Sequence, residues 1–255
     1  MQIGLPTHPR RDIIEEIRWI GDCGFDFADL FLEPDEGDLD HIHPRAIRQT
    51  LRSCDLGSVG HTAWYLPIGS PCRALREKAV EILIDHIVAF AEIECPKMTV
   101  HANWPPGLFS VEEGLAYQTE SLNALSERAR GYGITILYEL GDTPYDSREN
   151  IEAILDRNPD VACHADIGHL NLHGRNPAEY LEYFKDRIEH VHLHDNNGLA
   201  DLHLPVGAGG IEWEPVVETL KAFYDKTVTL EVFSREEEYI LLSREILMRM
   251  LRGDE

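Results

Sequence analysis

Short apolar runs bounded by turn residues alternate with longer amphipathic segments along the chain. Eight of the runs have the length of strands and lie near residues 2–6, 26–32, 57–62, 97–102, 134–140, 161–166, 188–194 and 227–233. The helical pattern between them is clearest at 74–93 and 112–133, and the segment 235–251 predicts a closing helix. Eight strand–helix units in 255 residues predict one α/β domain over residues 1–255, a (β/α)₈ TIM barrel. A doubly wound open sheet is the alternative, although it usually has fewer units.

Side-chain parity divides each predicted strand into two faces. In the seventh run His190, His192 and His194 share one face, whereas Val191 and Leu193 share the other. The glutamates of the fifth and eighth runs likewise lie opposite apolar neighbours. Because the outward face of a barrel strand must be apolar to pack under helices, we expect the polar side chains to point into the barrel. There they must be paired or bound to something.

Residues able to ligate a metal recur at the predicted C-terminal ends of six consecutive strands and in the loops that follow. They are His61, His101, Glu139, Asp166, His169, His192, Asp201, His203 and Glu231. Barrel enzymes build their active sites at this end. One such histidine is usually an ordinary core or surface residue, but a set that repeats at consecutive strand ends predicts a metal centre. Imidazole with carboxylate suits Zn²⁺, Mn²⁺ or Fe²⁺, and the absence of cysteine from the set disfavours a closed structural zinc site.

The remaining histidines are expected to have ordinary roles. Those in predicted loops and helices are His8, His41, His43, His86 and His173. His190 is expected to fill the barrel floor below the site, and His164 to support a ligand or simply to pack.

The chain is strongly acidic. It has 23 Lys and Arg against 46 Asp and Glu, a net charge of −23. Such a field repels a polyanion, since nucleic-acid affinity comes largely from basic groups that displace counterions. Nucleic acid is therefore not an expected partner. No window approaches the ~18 apolar residues of a membrane span, and the N-terminus lacks the apolar stretch of a secretory signal, so we expect a cytoplasmic protein without a membrane segment.

Five motifs resemble those of the xylose isomerase-like TIM barrels, the superfamily that includes endonuclease IV and the sugar-phosphate isomerases and epimerases. They are HTAWYLPIGSP (61–71), TVHANW (99–104), YELGD (138–142), DIGHLN (166–171) and HLHDNNGLADLHLPVGAGGIEW (192–213). In endonuclease IV nine ligands hold three zinc ions, and the resemblance matches them to the nine positions above. In the isomerase branch a smaller core binds one Mn²⁺ or Mg²⁺, and the matching positions are Glu139, Asp166, His192 and Glu231. The resemblance therefore implies a divalent metal cofactor of one to three ions, with zinc favoured and manganese or magnesium as alternatives.

Two enzyme functions follow from this resemblance. The favoured one is a sugar or sugar-phosphate isomerase or epimerase, in which the resemblance implies that Glu139 and Glu231 move a proton at the carbon beside a carbonyl. The alternative is an endonuclease IV-like zinc phosphodiesterase. Four features favour the isomerase: the acidic loop 33–40, the net charge, the residues of the last two motifs and the short chain. The complete nine-residue set favours the phosphodiesterase instead. A third reading, a non-catalytic sugar-binding barrel, leaves the inward carboxylates without a use.

Four further positions are expected to contact the substrate. Trp64 stands where the endonuclease motif carries an aromatic that probes DNA, and His194 lies at the end of the seventh strand. Gly207 and Gly209 are expected to offer backbone N–H groups to an anionic substituent. The expected partner is thus a small sugar or sugar phosphate, and the oligomeric state stays open.

Overall fold

A computed structural model describes residues 1–253 and contains a closed parallel barrel whose eight strands follow one another in chain order. Strand β1 pairs with β8 and so closes the ring. The strands are β1 (Gln2–Pro6), β2 (Phe27–Leu32), β3 (Gly57–Thr62), β4 (Lys97–His101), β5 (Thr135–Glu139), β6 (Ala162–Asp166), β7 (Ile188–Leu193) and β8 (Thr227–Leu230). The barrel confirms the fold class expected from the alternating pattern.

Helices follow the strands and cover the outside of the barrel. They are α1 (Ile13–Asp22), α2 (Pro44–Ser53), α3 (Arg73–Ile93), α4 (Val111–Arg130), α5 (Arg148–Arg157), α6 (Ile167–Leu170), α7 (Pro177–Phe184), α8 (Trp213–Phe223) and α9 (Glu237–Arg252). Within residues 1–253, none of these helices combines the length and the apolar character that a membrane span requires.

Element boundaries differ from the expected ones by at most three residues. Helix α4 ends at Arg130 rather than 133, and Gly133 beyond it adopts a left-handed conformation with φ of 71°, which glycine adopts without steric cost. Strand β8 ends at Leu230 rather than 233. The Glu231 N–H nevertheless donates to the Leu193 carbonyl (3.0 Å), so Glu231 still lies alongside β7.

Local sequence fixes where the helices begin. At α4 the Ser110 hydroxyl accepts from the Glu113 N–H (3.2 Å), while the Glu113 carboxylate accepts from the Ser110 N–H (2.8 Å). This reciprocal pair satisfies two backbone donors that a helix N-terminus otherwise leaves free. Asp12 caps α1 and Ser147 caps α5 through single side-chain acceptors.

Apolar side chains pack in two places. The larger core lies between the barrel and its helices, whereas a small cluster of Phe27, Val59 and Leu137 fills the floor of the barrel interior. Gly4 on β1 makes room for this floor, because a Cβ there would overlap the Phe27 ring. The floor closes the N-terminal end of the barrel, and the inward-pointing metal-capable residues lie toward the opposite end.

Candidate metal centre and substrate cavity

Strand register brings the metal-capable residues to one level of the barrel. His101 on β4 lies opposite Glu139 on β5, and Asp166 on β6 lies opposite His192 on β7. Partners in register within a parallel sheet point to the same side, so these four side chains all enter the barrel. The inward direction deduced from parity is what the structure shows.

The first cluster, which we call the His61 group, consists of His61, His101 and Glu139. Glu139 Oε2 lies 2.9 Å from His101 Nε2 and 3.3 Å from His61 Nε2. Burial opposes ionisation of Glu139, but the neighbouring imidazoles of His101 and His164 hold its pKa well below the usual value. Burial likewise disfavours charge on His61, and the Glu139 carboxylate outweighs it and raises the His61 pKa.

The second cluster, the central group, consists of Glu139, Asp166, His192 and Glu231. Ligand atoms of its first three members lie within 4.8 Å of one another. His192 Nδ1 is 3.0 Å from Glu231 Oε2 and 3.8 Å from Asp166 Oδ2. Burial lowers the pKa of His192, but Glu231 and Asp29 outweigh it and raise that pKa well above the usual value. The Glu231 pKa is lowered, since His192 and His203 outweigh its burial.

The third cluster, which we call the loop group, consists of His169, His194, Asp201 and His203, and the last three lie between β7 and α8. His194 joins two sets whose ligand atoms lie within 4.8 Å of one another, one with Asp201 and His203 and one with Asp166 and His169. Asp201 Oδ2 lies 2.8 Å from His203 Nε2 and 3.4 Å from His169 Nε2, and Asp201 Oδ1 lies 3.4 Å from His194 Nε2. Burial opposes charge on His203, but Glu231 and Asp201 raise its pKa to about 9. All nine sequence-predicted ligands therefore fall in one of the three groups.

The donor set fits a divalent metal. Within residues 1–253, Asp166 Oδ2, Asp201 Oδ1 and both ring nitrogens of His194 are buried without a hydrogen-bond partner. Buried polar atoms are costly unless something pairs with them. Burial opposes charge on both Asp166 and His169, but their mutual attraction lowers the Asp166 pKa and raises the His169 pKa well above its usual value. A cation placed among them would supply the same positive charge while the imidazoles stay neutral and ligate.

Asp29 on β2 is a site residue that the sequence analysis missed. It is fully buried, and its Oδ2 accepts from His192 Nε2 (2.8 Å), His190 Nε2 (3.3 Å) and Thr229 Oγ1 (2.9 Å). Burial opposes its ionisation, but the hydrogen bonds from His190 and His192 lower its pKa. Because an ionised carboxylate only accepts, His192 Nε2 must carry a hydrogen. Asp29 therefore sets which nitrogen of His192 faces the central group.

A cavity of about 970 Å³ opens above the three groups. Seven of the expected ligands line it, namely His61, His101, Glu139, His169, Asp201, His203 and Glu231. Asp166 and His192 are fully buried and lie outside this lining. Trp64 also lines the cavity and is 67% exposed, so it stands at the rim, and its contact with a substrate stays a prediction.

Three arginines line the same cavity, and the sequence analysis did not predict them. Arg10 and Arg11 lie in the loop after β1, and Arg235 lies after β8. Arg11 is paired with Glu16 (3.3 Å). The available signal was the Arg10–Arg11 pair immediately after a strand end in an otherwise acidic chain. Their positive charges would attract an anionic group of a ligand at one side of the mouth.

The other three expected substrate contacts lie elsewhere. The Gly207 N–H donates to Asp195 Oδ2 (3.0 Å), and a Cβ at Gly209 would overlap the Asp195 carboxylate, so the two glycines pack around a buried side chain. Neither glycine lines the cavity. His194 is fully buried and belongs to the loop group rather than to the cavity wall. The structure thus does not support a substrate contact for Gly207, Gly209 or His194.

The chain matches known proteins in both sequence and fold. The family model described as "Xylose isomerase-like TIM barrel" matches residues 17–250. An uncharacterized protein of Methanocaldococcus jannaschii is 35% identical over 191 residues, which cover 69% of this chain and 64% of that protein. The chain thus spans slightly less than two thirds of the length of this relative.

Two further relatives carry functional names. A solved structure of a D-tagatose 3-epimerase-like protein has a TM-score of 0.83 and 28% identity, covering 99% of this chain and 98% of that one. The "Probable endonuclease 4" of Natronomonas pharaonis is 27% identical over 226 residues, with 77% of each chain covered. Both names correspond to branches of the superfamily that the motifs resemble.

Proposed function

Because the chain belongs to the xylose isomerase-like TIM barrel family, we propose that it is a divalent-metal-dependent epimerase or isomerase of a small sugar or sugar phosphate. In this proposal the central group holds the metal, and Glu139 and Glu231 move the proton at the reacting carbon.

The observation that carries the proposal is the placement of two glutamates around one cavity. Glu139 ends β5 and Glu231 follows β8, three strands further around the barrel, and both line the cavity. Asp166 on β6 and His192 on β7 lie between them. A sugar seated over Asp166 and His192 would have one carboxylate on each side, which is what inversion at a carbon centre requires.

Proton transfer in this proposal uses both glutamates. One ionised glutamate takes the proton from the carbon beside the carbonyl, and the electron pair of the broken C–H bond delocalises into that carbonyl. The other glutamate, in its protonated form, gives a proton to the opposite face of the same carbon. The lowered pKa values of Glu139 and Glu231 keep the accepting carboxylate ionised at neutral pH. The donating glutamate therefore has to take up a proton from water or from a neighbouring imidazole before it can deliver one to the carbon.

The protein orients these groups before any substrate arrives. A divalent cation in the central group would supply a Lewis acid that polarises the substrate carbonyl. Asp166 caps α6 by accepting the His169 N–H (2.8 Å), which fixes the direction of its carboxylate. Asp29 fixes the His192 ring from below. Such second contacts orient ligands and raise their basicity.

The relatives support the same function. The solved structure at 28% identity is named as D-tagatose 3-epimerase-like and covers almost the whole of this chain. The net charge of −23 opposes binding of a nucleic-acid backbone. A cavity of about 970 Å³ suits a small polar substrate and its ordered water.

Phosphodiester hydrolysis is the second candidate function. It is favoured by the three adjacent metal-capable groups and by the 27% identity to a probable endonuclease 4. Several close metals would stabilise both the attacking and the leaving oxygen of a phosphodiester.

Proton exchange in D₂O tests the epimerase directly. Protein reconstituted with Mn²⁺, Mg²⁺ or Zn²⁺ is incubated with a panel of ketoses and their phosphates, and NMR follows the hydrogen beside the carbonyl. We expect deuterium at that carbon together with accumulation of a second epimer. A panel that contains both free and phosphorylated sugars also shows whether the arginines at the rim select an anionic substrate.

Two outcomes would contradict the proposal. One is the absence of exchange across the whole panel with every metal. The other is metal-dependent cleavage of an abasic-site duplex at ordinary salt, which would establish the phosphodiesterase instead.

A further inference from the structure

We propose that Arg175 is a positioning residue, which joins the loop after β5 to the segment after β6 and thereby holds His169 in place beside the cavity. The inference rests on the proposed function only in treating His169 as part of the metal-capable site. Arg175 itself does not line the cavity, so it acts through the residues that it holds.

The Arg175 side chain makes five hydrogen bonds, and every acceptor is a main-chain carbonyl. Nε donates to Leu172 (3.1 Å), Nη1 donates to Thr143 (3.2 Å) and Asp146 (3.0 Å), and Nη2 donates to Gly141 (3.4 Å) and His169 (2.6 Å). The side chain of arginine has five N–H donors in a planar fork. All of its donors are therefore used on the backbone.

The five acceptors belong to two segments that follow neighbouring strands. Gly141, Thr143 and Asp146 lie in the loop between β5 and α5. His169 lies in α6, and Leu172 begins the 3₁₀ turn that follows it. Gly141 and His169 both line the cavity. One side chain thus connects two parts of the cavity wall from behind.

These contacts differ from those of an ion pair. The Asp146 carboxylate accepts from the Trp104 indole (2.8 Å) and from the Thr143 N–H (3.1 Å), and it is the Asp146 carbonyl that accepts from Arg175. Burial lowers the Arg175 pKa, and the charge of Asp146 opposes this shift. A guanidinium stays protonated in proteins. Because a partly buried cation is costly unless its hydrogen bonds form, the five bonds favour one arrangement of both segments.

The turn before Arg175 has a backbone conformation that suits this role. His173 has a φ of 57° and Gly174 a φ of 71°, so both are left-handed, a region that residues other than glycine rarely adopt. His173 Nε2 lies 2.6 Å from the Asp142 carbonyl oxygen, which places the turn against the same β5–α5 loop. The reversal lets Arg175 reach back to the carbonyls of Leu172 and His169.

His169 is held at both its backbone and its ring. Its carbonyl accepts from Arg175, and its Nδ1 lies 2.8 Å from the Leu140 carbonyl oxygen. Because a carbonyl only accepts, Nδ1 carries a hydrogen, and Nε2 faces Asp201 at 3.4 Å. Arg175 also holds Gly141, the residue after Leu140. It therefore fixes the backbone on both sides of the contact that orients the ring.

Arg175→Lys tests the inference, because it keeps the positive charge and removes the planar fork. An ammonium group has three donors on one nitrogen and cannot serve five carbonyls. We expect zinc affinity, measured by competition with a chelator, to fall by ~10–100-fold, as for other outer partners of metal ligands. In metal-free protein, hydrogen–deuterium exchange should become faster at residues 141–146 and 168–173 and stay unchanged on α3.

Arg187→Lys is the matched control. Arg187 also donates to main-chain carbonyls, those of Leu155 (3.1 Å) and Val161 (2.9 Å), but it lies just before β7 at the N-terminal end of the barrel. It should speed exchange near its own partners and keep the wild-type zinc affinity. If Arg175→Lys does not fold, His173→Gly loosens the same pair of segments, since it removes the contact with Asp142 and glycine accepts the left-handed conformation.

Two results would overturn the inference. One is wild-type zinc affinity in folded Arg175→Lys, and the other is an equal loss of affinity in Arg187→Lys. If the wild type binds no zinc, the exchange experiment decides, and unchanged exchange at residues 141–146 would overturn the inference. Neither measurement uses a sugar, so a failed search for epimerase activity is a separate result.

Discussion

The floor and the mouth of the barrel interior are built from the same strands and differ completely in chemistry. On β5 Leu137 belongs to the apolar floor, and Glu139, two residues later on the same face, belongs to the metal-capable mouth. On β3 Val59 and His61 repeat the same step. One pleat of the strand, roughly 7 Å along the chain, therefore separates a region that stabilises the fold from one that carries the proposed reaction.

The mouth costs free energy to bury, whereas the floor does not. Burial of the floor residues is favourable by itself. The carboxylates of the mouth lose hydration, and positive charge on neighbouring imidazoles is what offsets this loss, so the Glu139 pKa is lowered and the His169 pKa is raised. A metal ion removes this conflict, so we expect the mouth to depend on metal far more than the fold does.

Glu139→Gln should have the largest effect on function. Glu139 belongs to both the His61 group and the central group, so its neutral replacement removes the proposed proton acceptor and weakens two sets of ligands. We expect turnover of the sugar to fall by about 10²–10⁴-fold, the usual contribution of a positioned acid or base. Steady-state kinetics, with metal content measured on the same sample, provides the check.

Leu137→Ala is the control for this variant on the same strand. It should lower the free energy of unfolding by ~2–5 kcal/mol, as other buried leucine truncations do, while the folded protein keeps its metal and its turnover. If Leu137→Ala loses metal and Glu139→Gln does not, the separation between floor and mouth is wrong.

Asp29→Asn should have an intermediate effect. Asp29 touches no ligand atom that faces the mouth, and it acts through the Nε2–H of His192. Replacing the carboxylate by an amide should weaken metal binding at the central group by about 10–100-fold, as for other outer partners of metal-bound histidines. Competition with a chelator measures this affinity, and circular dichroism confirms the fold.

Thr229→Val separates this role from packing, because it removes one hydrogen bond to Asp29 and keeps the bond from His192. Metal affinity close to the wild type is expected there. Equal losses in both variants would assign Asp29 to general stability of the barrel interior.

His86→Gln should have the smallest effect on function. The ring lies on α3, with Nδ1 2.8 Å from the Ile82 carbonyl oxygen and Nε2 3.1 Å from the Leu32 carbonyl oxygen, away from the cavity. Turnover and metal content should be unchanged. Thermal or urea unfolding should show a loss of about 1–2 kcal/mol for the broken hydrogen bonds of a buried group. A loss of activity beyond this loss of folded protein would contradict the strand-end argument.

The alternation of apolar and polar positions predicted much of this molecule. It placed all eight strands within three residues of their observed ends and gave the inward direction of Glu139 and His192, because parity is a local property of the backbone. His169, Asp201 and His203 lie outside the strands, so parity could not place them. Their convergence was expected because they lie in the loops that follow β6 and β7 at the C-terminal end of the barrel, and the resemblance added to that expectation.

The missed residues depend on contacts between distant segments. Asp29 lies in the run DFADLFL, whose apolar residues predict only a buried strand. A single carboxylate within such a strand is nevertheless a signal for a functional residue. Gly207 was misread because its N–H is bound by Asp195, twelve residues earlier, and no local pattern shows that fold-back. Arg235 reaches the cavity through a loop whose path the strand pattern leaves open.

The buried carboxylate of Asp195 has a practical consequence for protein engineering. It accepts from the backbone N–H groups of Asn196, Gly207 and Ile211 and from the Trp213 indole, at 2.8–3.1 Å. These contacts join both ends of residues 195–213 to one side chain. Any exchange of the stretch that carries Asp201 and His203 between related barrels therefore has to include both Asp195 and Trp213.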